Sequence, residues 1–126
     1  MKNLLLVLCL ITAININAQT TAIPDPNFEQ ALIDLGYDTG LIDGLVITAN
    51  IDTLTILNIS NQGISDLTGI EDFTALTVLA CYDNKLTSLD VTQNTALTSL
   101  VCFYNQITSL DVMQNTALTG LDCSNN

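Results

Sequence analysis

The chain has 126 residues, is 48% hydrophobic and only 12% charged, and carries 13 acidic groups against two basic ones, with no histidine and a net charge of −11 at pH 7. Phosphate backbones and anionic membrane surfaces are gripped by basic side chains, so nucleic-acid and polybasic lipid binding are excluded. Without histidine, the Ser/His and Cys/His pairs that activate a nucleophile cannot form.

Residues 1–18, MKNLLLVLCLITAININA, begin with a single lysine, continue through an apolar run from Leu4 to Ala13 and end in a polar stretch closing on Ala18. That layout predicts a Sec-type signal peptide cleaved after Ala18, too short and too quickly diluted to span a bilayer. Cys9 does not read as a lipid-anchor site, because Leu8 precedes it where a small residue is required. Once the peptide is removed, 13 acidic groups face Lys85 alone.

The next unit, 19–53, reads as a linker, a helix and an edge strand. In IPDPNFEQALIDLG, Asp25 is placed to cap a helix, Pro26 sits where a missing N–H costs nothing, and Gly36 suits a left-handed stop. Phe28, Ala31, Leu32 and Leu35 form one apolar stripe, predicting an N-terminal cap over the repeats that follow. Leu45–Ile47 reads as the edge strand. The intervening DTGLIDG fails the calcium-loop template, with Gly40 and Ile42 where oxygen ligands are needed, and no metal is expected.

From Leu54 the chain repeats. LTILNISNQGISDLTGIEDFTA (54–75) is followed by LTVLACYDNKLTSLDVTQNTA (76–96), LTSLVCFYNQITSLDVMQNTA (97–117) and LTGLDCSNN (118–126), giving coils of 22 and then 21 residues. A fixed period of this length predicts a leucine-rich repeat solenoid, each coil contributing one strand to a parallel sheet. Counting from each first leucine, place four (Leu57, Leu79, Leu100, Leu121) and place six (Ile59, Cys81, Cys102, Cys123) share the core face by strand alternation. Stacked at ~4.8 Å, parallel cysteine side chains stand farther apart than the ~3.8 Å a disulfide prefers, which favours a column of buried reduced thiols. A one-dimensional column also cannot converge on a tetrahedral zinc ion.

Place nine holds Gln62, Asn84, Asn105 and Asn126, where an inward amide can satisfy backbone groups freed at the bend, so Asn84, Asn105 and Asn126 are read as a structural ladder. A second register, Asn94 and Asn115, reads as a return turn in the left-handed region.

The LxxLxLxxNxI spacing and the LTSLDVxQNTALTSLxCxxNQ units resemble those of internalin-like leucine-rich repeat proteins of the bacterial exported and cell-surface type, and IPDPNFEQALIDLGYD resembles their N-terminal cap segment. The resemblance implies a right-handed β/α horseshoe with its sheet on the concave face. It also implies an exported protein with more coils, of which this chain, stopping at Asn126, reads as an N-terminal fragment.

The outward strand places carry the candidate binding surface. Tyr82, Phe103 and Tyr104 fall on neighbouring coils, surrounded by Val78, Ala80 and Val101 and rimmed by Asp83 and Asp122. Solvent-facing aromatics on such a face are hot-spot material. The acids Asp90 and Asp111 recur because the coil recurs, and nothing converges as a catalytic pair, so no enzymatic activity and no cofactor are expected. The expected function is cell-surface or secreted protein binding and adhesion through the concave sheet. The alternatives are glycan adhesion by the same rings and a structural spacer; self-association through the uncovered C-terminal coil is also expected.

Overall fold

A computed structural model describes residues 18–126. The signal peptide read over 1–18 lies, all but its last residue, outside the described residues. The chain runs β1 (Thr20–Ala22), α1 (Pro26–Asp34), β2 (Leu45–Ile47), β3 (Ile56–Asn58), β4 (Val78–Ala80), β5 (Ser99–Val101) and β6 (Gly120–Asp122), with 3-10 turns at Thr48–Asn50 and Ile70–Asp72.

Strands β3 to β6 form one four-stranded parallel sheet in chain order, one strand per repeat. Leu57, Leu79 and Leu100 pair in register, as do Asn58, Ala80, Val101 and Asp122, so equal places in successive coils stack directly. Leu57, Leu79, Leu100, Ile59, Cys81 and Cys102 are buried, together with Ile64, Leu86 and Ile107 from the next leg of each coil. In the fourth coil Leu121 is 46% exposed and Cys123 is exposed, unlike their buried counterparts in the earlier coils.

Two expectations change in the return legs. Among the described residues α1 is the only α-helix, so the coils do not take the β/α form; they return through turns. Asp66, Asp90 and Asp111 each accept from the N–H two residues on, at Thr68, Thr92 and Met113, and these short local bonds compete with helix formation. Nor are Asn94 and Asn115 left-handed turn residues. Both are buried, and their amides reach back one coil, Asn94 to Ile70 O and Phe73 O, Asn115 to Val91 O and Asn94 O. The carbonyls a helix would use internally are thus taken across coils.

The N-terminal unit is tied to the first coil by its own ladder of contacts. Asp25 Oδ1 accepts from Asn27 N and Phe28 N as a helix cap, while Oδ2 accepts from Ser65 N, Ser65 Oγ and Asp66 N. Phe28 stacks on Phe73 at 6.1 Å, and Asn27 Nδ2 donates to Gly63 O at 3.0 Å. Leu35, expected in the buried stripe, is 45% exposed, whereas Glu29 is buried and accepts from Asp43 N at 2.7 Å and Gly44 N at 2.8 Å. Strand β2 pairs antiparallel with β1, in a ribbon separate from the repeat sheet.

Burial raises the Asp25 carboxyl, but hydrogen bonds from Ser65, Phe28 and Asn27 outweigh it and hold the pKa below the ordinary 3.8. In the window between that lower folded value and 3.8, the unfolded chain holds the proton and the folded chain does not, so stability falls as pH falls. Replacing Asp25 with Asn is expected to cost about 2 kcal/mol at pH 7. Urea titrations should show the gap between wild type and variant narrowing as pH drops from 5 to 3; a constant gap would mean that Asp25 acts through shape alone.

Candidate binding face

Stacking in register decides what the outward face presents. Equal places of neighbouring parallel strands lie ~4.8 Å apart, so two flat rings at one place in adjacent coils must lie face to face. Tyr82 and Phe103, both at place seven, stack with centroids 4.5 Å apart and planes 9° from parallel. Tyr104, at place eight, meets Phe103 edge-on at 5.3 Å and 75°. Tyr104 is 57% exposed, and Tyr82 and Phe103 are half-buried.

The remaining predicted residues surround this trio. Val78, Ala80 and Val101 are half-buried along the strands. Asp83 is exposed, and its N–H donates to Phe103 O at 3.0 Å; Asp122 is exposed and pairs in register with Val101. Asp122 accepts from Ser124 Oγ at 2.7 Å and Ser124 N at 3.1 Å; these bonds, the hydroxyl's first, hold its carboxyl below the usual range.

Place eight supplies a feature that sequence reading missed. Asn61, Asp83, Tyr104 and Asn125 all have positive φ, between 51° and 56°. Asn and Asp tolerate the left-handed region, and their recurrence at place eight was the available signal. Tyrosine does not, so at Tyr104 the fold accepts strain to put a ring on this face. Tyr104→Asn should relieve about 1 kcal/mol of backbone strain and lose a similar amount of edge contact with Phe103, leaving the melting temperature nearly unchanged. A large drop in thermal scanning would show that Tyr104 is a packing residue.

Beneath the face, Asn84 Oδ1 accepts from Gln62 N and Ile64 N while its Nδ2 donates to Ile59 O, Cys81 O and Tyr82 O. Asn105 Oδ1 accepts from Leu86 N, and its Nδ2 donates to Cys81 O, Cys102 O and Phe103 O. Asn126 makes the same set, to Ile107 N, Cys102 O, Cys123 O and Ser124 O, although it is itself exposed. Each amide therefore joins its own coil to the one before. Gln62, at the same place in the first coil, is exposed, and its side-chain amide donates only to Ser60 O. A threonine column at place two, also unread in the sequence, runs along the strand entry: Thr77, Thr98 and Thr119 each donate their hydroxyl to the carbonyl of the threonine one coil back.

The cysteines of the described residues are free. Burial, then the neighbouring Cys102, pushes the Cys81 thiol far up; burial, then Cys123 and Asp122, pushes Cys102 up to about 11. Neither is a thiolate at neutral pH, so both act as small apolar side chains. Among the described residues no three His, Cys, Asp or Glu gather as a metal-holding group.

No protein-family model matches the chain. Internalin J of Listeria monocytogenes serotype 4b (strain F2365) is 42% identical to it over 71 residues, 56% of this chain and 8% of the relative. The solved functional domain of InlJ from Listeria monocytogenes, which includes a cysteine ladder, superposes with a TM-score of 0.74 at 39% identity, over 84% of this chain and 24% of that one. The chain is internalin-like in its leucine-rich repeats. A third relative of the internalin-like chain is a fold likeness alone: an internalin (inlF) from L. monocytogenes strain 4b F2365, with a TM-score of 0.72 at 20% identity over 83% of this chain and 32% of its own. The internalin-like chain spans 8% of the length of the curated relative it matches. Among its described residues, no helix is long and apolar enough to cross a membrane.

Proposed function

We propose that the chain is an exported, surface-associated interaction module, with 19–53 as its N-terminal cap unit, 54–126 as its repeats and residues 1–18 as the signal that sends it out. It binds a protein through the outward, concave face of the parallel sheet. Tyr82, Phe103 and Tyr104 are the anchors, Val78, Ala80 and Val101 the apolar surround, and Asp83 and Asp122 the rim. The observation that carries this reading is the ring trio, one pair stacked at 4.5 Å and the next meeting edge-on at 5.3 Å on a solvent-facing sheet, and including a tyrosine held at φ 51°. Rigid aromatic anchors at low conformational-entropy cost are what hot spots are made of.

Replacing Tyr82, Phe103 and Tyr104 together with Ala should abolish binding to a partner captured by the wild-type chain, a loss of at least about a hundredfold, with the far-ultraviolet CD spectrum unchanged. Undiminished binding would remove the reading and leave the spacer role. Glycan adhesion by the same rings makes a separate forecast, retention on insoluble polysaccharide that the triple variant loses.

A further inference from the structure

Aromatic faces carry the negative lobe of the ring quadrupole, and carboxylates beside them add formal charge of the same sign. Both occur here. Asp83 is exposed at place eight, the place Tyr104 holds in the next coil, and its N–H donates to Phe103 O at 3.0 Å; the Asp122 carboxylate accepts from Ser124 Oγ at 2.7 Å, and Ser124 holds place seven, the place of Tyr82 and Phe103. Asp83 and Asp122 thus belong to the coils on either side of the one carrying Phe103 and Tyr104.

Among the described residues no hydrogen-bonded or ion-paired cation answers them. Among the described residues Lys85 is the only cationic side chain, and its Nζ lies toward Gly63 in the first coil. The chain as a whole carries −11. An occupant that is neutral would leave the two carboxylates without a counterion, and an acidic one would be repelled before it reached the rings.

We propose that the partner seats a basic protein segment on this face, an arginine side chain lying against the Tyr82, Phe103 and Tyr104 rings with Asp83 and Asp122 on either side. Arginine fits better than lysine because its planar guanidinium stacks on a ring while its N–H groups still reach a carboxylate. The inference rests on the aromatic face being the binding face, and adds only the chemistry of what it binds.

The test is a nitrogen-15 NMR titration of the full chain with four probes: an acetylated hexapeptide alternating glycine and arginine, its citrulline counterpart, a glycine and tryptophan hexapeptide, and cellohexaose. The arginine peptide should shift the amides of Tyr82, Phe103 and Tyr104 and bind about tenfold tighter than the citrulline peptide. In the D83N/D122N double variant that preference should shrink to about threefold, the ring contribution remaining. Equal binding of arginine, citrulline and tryptophan peptides would overturn the basic-partner inference while keeping the face. Shifts on this face from cellohexaose alone would overturn the inference and favour glycan adhesion. Shifts from the peptides confined to other residues would overturn both.

Discussion

Asn84→Ala is expected to destabilise the chain by about 4 kcal/mol and lower its urea midpoint by roughly 2 M. The substitution removes one side chain but strands several backbone groups. Ile64 N loses its acceptor, and Ile59 O and Cys81 O lose the donor they share, all at buried positions between the first and second coils. Each unpaired buried group costs about 1–3 kcal/mol, against a total stability of about 5–15 kcal/mol for a domain. Solenoid stability is a sum of coil terms and interface terms, so the break should uncouple the first coil and everything docked on it from the coils beyond. Gln62→Ala, at the same place one coil earlier, should stay within about 0.5 kcal/mol, because Gln62 is exposed and its side chain bonds only Ser60 O. Equal effects from the two variants in matched urea melts would show that the amide ladder does not hold the coils.

Gly69→Ala is expected to cost about 3 kcal/mol or more, through the join between the N-terminal unit and the repeats. Gly69 has φ 103°, and an added Cβ would come within 2.5 Å of Ala22 O and 2.5 Å of Ile23 Cδ1. The first of those atoms is backbone of the last residue of β1, which pairs with Leu45, so it cannot swing aside. Thr21, one residue earlier, is buried and donates to Asp72 at 2.6 Å, which pins the same segment. Gly63→Ala isolates the backbone component: φ is 71°, the nearest atom to its added Cβ is Asn27 Nδ2 at 3.7 Å, and the expected cost is only about 1 kcal/mol. Calorimetric melts of the two variants separate strain from collision. If they fall together, β1 does not pack as closely on the first coil as Gly69 indicates.

The periodic part of this protein was legible because its determinants are local and repeated. Strand alternation alone sends Leu79 and Cys81 inward and Val78, Ala80 and Tyr82 outward, and repetition at 21 residues then fixes which residues become neighbours. Tyr82 and Phe103 could be placed together from the sequence for that reason; their near-parallel stack is the consequence of register. The capping role of Asp25 was equally readable, since it depends on amides two and three residues away.

Only the tertiary structure decided which long-range partner took each remaining polar group. The second oxygen of Asp25 goes to Ser65 and Asp66, Glu29 is drawn inside by two loop amides, and Asn94 and Asn115 turn in to bond the preceding coil. None of these follows from periodicity, because a hydrogen bond across 14 to 41 residues is chosen by which buried donor or acceptor would otherwise go unpaired. The same accounting removed the helix from the return legs. The repeat determined the column; burial and pairing across it determined where the column bends and what it ties down.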